Sequence, residues 1–173
     1  MVGLLIKLVI FDADETLWHV EEGYASTLVL PLRKVNDGLV IDAVGVKVWL
    51  FHGVRELLEG LRRRGVIVSL ASANDEEPNK VKLLLELFGI MRYFSFPQVN
   101  WQKKSQNVRK IVELVREKLG VNLDFEEVIF IDDSEFNVTD VKNRCPGVKA
   151  FRVGRDIPSI ALLYENLDSF LQA

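Results

Sequence analysis

Two aspartates, Asp12 and Asp14, stand two residues apart directly after an apolar run, Val2 to Phe11, and Thr16 follows them. A second acidic pair, Asp132-Asp133, closes the run Val128 to Ile131 and is followed by Ser134. The run Val66 to Ala71 ends in Ser72, with Asn74 and Asp75 just beyond. Carboxylates, hydroxyls and carboxamides are oxygen donors that suit a hard cation, with Mg²⁺ the first expectation. Three or four carboxylates brought to one place repel one another. They are tolerated only with a cation, shared protons or solvent.

The elements that must position these residues can be read from the apolar pattern. Val2 to Phe11 is broken only by Lys7 and reads as a strand buried on both faces. At about ten residues it is far short of the roughly 20 that a membrane span needs. No small-residue cleavage site follows, so neither a signal peptide nor a membrane anchor is expected. Val66 to Ala71 and Val128 to Ile131 are further strands, with Val148 to Val153 and Tyr93 to Phe96 as weaker candidates. Helical spacing joins Val54, Leu57, Leu58 and Leu61 before Gly65, and Val81, Leu84, Leu85 and Phe88 before Gly89. It recurs from Val108 to Leu119 before Gly120, and a docking helix is expected in the tail after Pro158.

Strands alternating with helices predict βαβ units around a mainly parallel sheet, that is, an α/β fold of three layers. In such sheets ligands bind beyond the carboxyl ends of the strands, which is where the acids and Ser72 fall. From about residue 19 to 51 the helical period is lost. Asn36-Asp37-Gly38 signals a turn, and Val40 to Trp49 reads as extended. A small β-hairpin insertion within a single domain spanning residues 1–173 is the expectation.

Asp12-x-Asp14-x-Thr16 after a strand resembles the first motif of the haloacid dehalogenase superfamily. Ser72 at a strand end is similar to its second motif. Lys104, in Trp101-Gln-Lys-Lys104-Ser105-Gln-Asn107, is similar to the third, and Asp132-Asp133 to the fourth. All four occur in family order and span most of the chain. The stretch Phe11 to Trp18, the insertion with Asp37-Gly38, and Leu70-Ala-Ser72 resemble the magnesium-dependent phosphatase 1 family of subfamily IIIC. Ser72 to Glu76 and Val99 to Asn107 also resemble the related glyceryl-transfer proteins that load acyl carrier proteins. Ala73 stands where phosphatase 1 relatives often carry a basic residue, so their substrate preference does not carry over with the motifs.

The resemblance implies a Rossmann-like fold with the hairpin as a cap, and phosphoryl transfer through an aspartyl-phosphate on Asp12. A carboxylate about 4 Å from a phosphate dianion is repelled by roughly 8 kcal/mol at an effective dielectric near 20. Positive charge is therefore required. The implied Mg²⁺ ligands are the Asp12 carboxylate, the Asp14 backbone carbonyl and Asp133, with Asp132 on a metal-bound water or exchanged with Asp133. Lys104 is the implied second cation, with Lys103 as its rival. The choice rests on Ser105 as N-cap of the following helix. Asp14 is the implied general acid and base. Ser72, Ala73, Asn74 and Lys104 would hold the phosphoryl group, and Thr16 would order the loop.

His19 and His52 lack partners at a catalytic spacing. Trp18, Trp49 and Trp101 are expected in packing roles, with Trp18 or Trp49 near the pocket if the cap folds over it. Arg62-Arg63-Arg64 sits at a helix C-terminus and reads as structural. With 22 basic and 25 acidic residues, net −3, no general nucleic-acid binding is expected. A lone cysteine, Cys145, makes a reducing, cytoplasmic setting the simpler expectation. The expected substrate is a phosphorylated small molecule or phosphoprotein. The alternatives are transfer involving an acyl carrier protein, for which the extra domains find no room in 173 residues, and a non-catalytic phosphate- or partner-binding module.

Overall fold

The computed structural model describes residues 5–172. The first three residues of the expected opening strand, Val2 to Leu4, lie outside the described residues. The chain begins with β1 (Leu8–Phe11), then β2 (Trp18–Val20), β3 (Arg33–Asn36), β4 (Leu39–Ile41) and β5 (Lys47–Leu50). There follow α1 (Val54–Arg63), β6 (Ile67–Ala73), α2 (Lys80–Leu87), β7 (Gln98–Asn100) and α3 (Lys104–Leu119). The last part holds β8 (Val128–Asp132), α4 (Glu135–Arg144), β9 (Lys149–Arg152), α5 (Ile160–Glu165) and α6 (Leu167–Gln172).

The central sheet has the order β7-β6-β1-β8-β9, and every pairing in it is parallel. Side-chain alternation sends Val9 and Phe11 of β1 to one face and Leu8 and Ile10 to the other. β8 divides in the same way, with Ile129 and Ile131 opposite Val128 and Phe130. One face packs against leucines of α1 and α2 and against the tail, and the other against α3 and α4. Burial on both faces makes these strands continuous apolar runs, and the three-layer α/β expectation matches the structure.

Register brings the chemistry to one edge. Phe11 is level with Leu70 of β6 and with Ile131 of β8. The next residues in each strand, Asp12, Ala71 and Asp132, therefore stand side by side. The Asp12 N–H donates to Ile131 O at 2.9 Å, extending the ladder one residue into the site.

The insertion is larger than a hairpin. It is a four-stranded antiparallel sheet in the order β2-β5-β4-β3. The expected turn at Asn36-Asp37-Gly38 joins β3 to β4, with Asn36 Oδ1 accepting from Gly38 N at 2.9 Å. A second turn between β4 and β5 is wrapped around Asp42, which accepts N–H bonds from Val29, Val44 and Val46. The inner face, with Trp18, Val20, Val40 and Val48, joins the same apolar core as β1.

Three expectations are corrected. Tyr93 to Phe96 is not a strand. A 3₁₀ turn at Met91–Tyr93 precedes a single bridge at Phe94. Phe96 takes φ 54 and Pro97 offers no N–H, so the strand begins only at Gln98. The tail is two short helices, because the Asn166 side chain donates to Leu162 O at 2.9 Å and competes with the helix ladder. The third helix, α3, is capped by Lys103 and not by Ser105, which is buried with its N–H on Asp140 Oδ2 at 2.9 Å. Starting the helix early puts Lys104 at its first position.

Candidate active site

Asp12 ends β1 with only 7% of its surface exposed. After it the chain turns tightly: Thr16 N and Leu17 N both donate to Ala13 O, and Glu15 adopts φ 61. This turn returns the Thr16 hydroxyl to Asp12 Oδ2 at 3.3 Å. Asp14 points elsewhere. Its Oδ1 accepts from the Trp18 indole Nε1 at 2.7 Å and its Oδ2 from the Ala25 N–H at 3.1 Å. Burial pushes its carboxyl above the ordinary value. The donors Trp18 and Ala25 oppose this, and the Asp12 charge adds to it.

Lys104 is 2% exposed and lies among acids. Its Nζ is 2.5 Å from Asp12 Oδ1 and 3.4 Å from Asp132 Oδ2, and it also donates to the Ala71 carbonyl. Burial works against its charge, but Asp12 and Asp132 outweigh that and raise its pKa, so the ammonium persists. Lys103 is exposed at the helix start, which separates the two lysines.

Asp132 is fully buried and fully engaged. Its oxygens accept from Ser134 N at 2.8 Å and from Asn137 Nδ2 at 3.0 Å besides Lys104. Asp133 is half-buried and faces the open side. Burial first, then the Asp12 charge, pushes both carboxyls up. The helix after them is capped by Ser134, whose hydroxyl accepts from Asn137 N, and not by either aspartate.

Asp12, Asp14, Ser72, Ala73, Lys104 and Asp133 line one cavity of about 210 Å³. Asp132 lies behind that wall. Asn74 is not brought to the cavity. It is buried, with its N–H on Asn100 O and its Oδ1 on Asp75 N, and its Nδ2 has no hydrogen-bond partner. Four lining residues escaped sequence reasoning: Glu15, Tyr24, Ser134 and Asn137. Ser134 and Asn137 carried a readable signal, a capping serine three residues before an amide. Tyr24 carried none, because it sits in irregular chain. His19 pairs with Glu15 at the surface, His52 lines a different cavity, and Trp101 is 64% exposed, not packed. Its indole donates to Asp75 at 2.8 Å. A larger cleft of about 940 Å³ lies along β7 and holds none of the clustered acids.

The donor set fits a cation. Asp12, Asp132 and Asp133 each offer an oxygen within 4.8 Å of the others, against the single charge of Lys104. All donors are oxygens, which suits a hard divalent ion. Among the described residues, no helix is long and apolar enough to cross a membrane.

Comparison with known proteins agrees with this geometry. A family described as Acid Phosphatase matches residues 4–157. Human Magnesium-dependent phosphatase 1 is 31% identical over 175 residues, covering 98% of this chain and 89% of that protein. The N-terminal part of the Bacteroides fragilis protein BF1531, described as containing a phosphatase domain complexed with Mg, superposes with TM-score 0.62 at 24% identity. It covers 94% of this chain, which spans 40% of that one. A HAD phosphatase from Thermococcus onnurineus superposes with TM-score 0.60 at 17% identity over 94% of this chain and 98% of that one. Such a match along nearly the whole length means that the chain belongs to the acid phosphatase family and is a phosphatase.

Proposed function

We propose that the chain is a Mg²⁺-dependent phosphatase that hydrolyses phosphate monoesters through an aspartyl-phosphate on Asp12. The observation that carries this is Asp12 itself, held at the cavity floor by a buried Lys104 2.5 Å away and by the Thr16 hydroxyl. Mg²⁺ would be held by the carboxylates of Asp12 and Asp133 and the Asp14 backbone carbonyl, with Asp132 behind them. When bound, it supplies positive charge against the phosphate dianion.

The protein's own groups then divide the work. Lys104 keeps its proton and offsets the charge of Asp12, so that an anion can approach it. The Ser72 hydroxyl and the Ala73 backbone at the end of β6 hold phosphoryl oxygens. Asp12 attacks phosphorus, the ester P–O bond breaks, and its electron pair leaves with the departing oxygen. Asp14, whose carboxyl is pushed above its ordinary value by burial, gives a proton to the same oxygen. Asp14 then takes a proton from the water that attacks phosphorus and frees Asp12.

We read the chain as one domain whose insertion, at about residues 19–51, forms a low cap. Tyr24 is the one lining residue that the insertion contributes. A cap that intrudes so little would admit a phosphorylated small molecule or a phosphoprotein side chain. The deciding measurement is p-nitrophenyl phosphate hydrolysis with Mg²⁺, with EDTA, and by Asp12→Asn. Turnover that needs Mg²⁺ and vanishes in the variant supports the reading. Turnover that survives Asp12→Asn overturns the nucleophile, and no turnover by folded, Mg²⁺-bound protein overturns general phosphatase activity.

A further inference from the structure

Asp14 is gripped at both carboxylate oxygens by Trp18 at the start of β2 and by Ala25 in the turn after it, not by the parallel sheet that carries Asp12. Trp18 is the first residue of β2, and its indole is fully buried beside Phe88, with ring centroids 6.0 Å apart. Its Nε1–H reaches Asp14 Oδ1 at 2.7 Å, a short hydrogen bond. Ala25 opens a 3₁₀ turn in the connection between β2 and β3, and its N–H reaches Asp14 Oδ2 at 3.1 Å. That turn is itself fixed: Thr27 Oγ1 donates to Tyr24 O at 2.8 Å, and Tyr24 N donates back to Thr27 Oγ1 at 3.2 Å. Asp14 and Trp18 also pair through an isolated backbone bridge, and Glu15 N donates to Trp18 O at 2.7 Å.

We propose that Trp18, with the Ala25 amide, is a positioning residue: the two-point grip fixes the plane of the Asp14 carboxyl so that its proton meets the departing oxygen. This rests on Asp14 being the general acid, as read above. A carboxyl on a free side chain rotates about two torsions. Donors on both oxygens remove that freedom and still leave lone-pair directions for the proton it must pass on. A buried indole cannot swing, because ring packing in the core fixes it. The insertion thereby contributes to proton transfer as well as to the shape of the rim.

The experiment uses leaving-group chemistry. The quantity kcat/KM reports steps up to departure of the leaving group and omits hydrolysis of the aspartyl-phosphate. A p-nitrophenolate leaves with little help, whereas an alkoxide needs a proton. The reading is the ratio of kcat/KM for a simple alkyl phosphate to that for p-nitrophenyl phosphate. Any loss of correctly folded enzyme cancels in this ratio. Trp18→Phe keeps an aromatic ring in the core but has no N–H, and the ratio is expected to fall at least tenfold. Ala25→Pro removes the other donor at a first-turn position where proline is tolerated, and the ratio is expected to fall in the same direction. Asp14→Asn is the reference for complete loss of the acid. If Asp14→Asn lowers the ratio while Trp18→Phe and Ala25→Pro both leave it within twofold of wild type, the grip has no positioning role. If Asp14→Asn itself leaves the ratio unchanged, the general-acid reading fails, and the proposal fails with it.

Discussion

Replacing Lys104 by Met tests the electrostatic account of the site without any substrate. Methionine keeps most of the stem volume and removes the charge. In the native protein that charge sits 2.5 Å from Asp12 and 3.4 Å from Asp132, with almost no solvent contact. At an effective dielectric near 20 the two attractions are about 6–7 and about 5 kcal/mol. Desolvation of the ions, several kcal/mol each, offsets much of that, and deleting one partner of a buried pair typically costs about 3–5 kcal/mol. A typical domain is stable by about 5–15 kcal/mol, so the loss is readily measured. The assay is urea unfolding followed by circular dichroism, in EDTA, at pH 7.5 and at pH 5. The folded-state pKa values of Asp132 and Asp133 are pushed up to about 7 and about 6, above the ordinary 3.8. Between those values the native state binds more protons than the unfolded chain, so these two groups add stability as pH falls and withdraw it as pH rises. Without Lys104 the carboxylates rely on protons alone. The deficit of Lys104→Met is therefore expected to be largest at pH 7.5 and to narrow at pH 5. Mg²⁺ at saturating concentration should recover part of it at pH 7.5. A variant within 1 kcal/mol of wild type at both pH values, with unchanged denaturant slope, would refute the reasoning.

Two further substitutions probe the frame around the site. Asp42→Asn keeps one of the two acceptor oxygens, so it faces either Val29 N or the Val44 and Val46 N–H groups with an amide NH₂, and should cost about 1–3 kcal/mol in urea unfolding at pH 7. Burial pushes this carboxyl up, but the backbone donors outweigh it and hold the pKa below 3.8. Its stabilisation is thus present above that value and lost as pH falls through the folded value, so the difference from wild type should close in acid. Gly53→Ala adds a Cβ 2.8 Å from the Ala161 Cα at a residue with φ +86, and should lower stability by about 2–4 kcal/mol. Gly65→Ala, at φ +69 in open space, is the control and should lose about 1 kcal/mol, read from thermal unfolding of the same preparations.

What sequence reasoning could reach follows from what each residue must satisfy. Asp12 and Asp132 were legible because a strand buried on both faces leaves no ambiguity in a run such as Val128 to Ile131, and the first polar residue after it marks the sheet edge; Ser72 was legible by its place after such a run, although Ser69 interrupts it. Lys104 was legible as a type and a spacing, but its neighbour Ser105 was a misleading cap signal. The buried Asp140 had taken that amide through a contact 35 residues away. The insertion strands were hard to read because β5 alternates exposed and buried over four residues, and β3 is exposed throughout. The pairing of β2 with β5, which closes their sheet, is long-range and no local pattern records it. Asn74 shows the reverse error: a motif position close to Ser72 in sequence, yet beyond the end of β6 and buried on contacts with Asn100 and Asp75 instead of the cavity.

Asp12 and Asp14 are separated by one alanine but answer to different parts of the molecule. Asp12 is bound to the parallel sheet through Ile131 O and to α3 through Lys104, both set by the buried core. Asp14 is bound to β2 and to the turn after it. In the mechanism proposed above, the nucleophile must be rigid and charge-compensated, and the core provides that environment. A proton donor must match the departing group, which comes from outside and differs between substrates. Placing its partners on the insertion, where Tyr24 also borders the cavity, allows the insertion to change with the substrate while the phosphoryl site is left intact. The limit on such change is packing. Val40 of β4 and Val48 of β5 are fully buried in the shared core, so the edge strand β3, exposed throughout, can vary while β2, β4 and β5 cannot move far without unpacking β1.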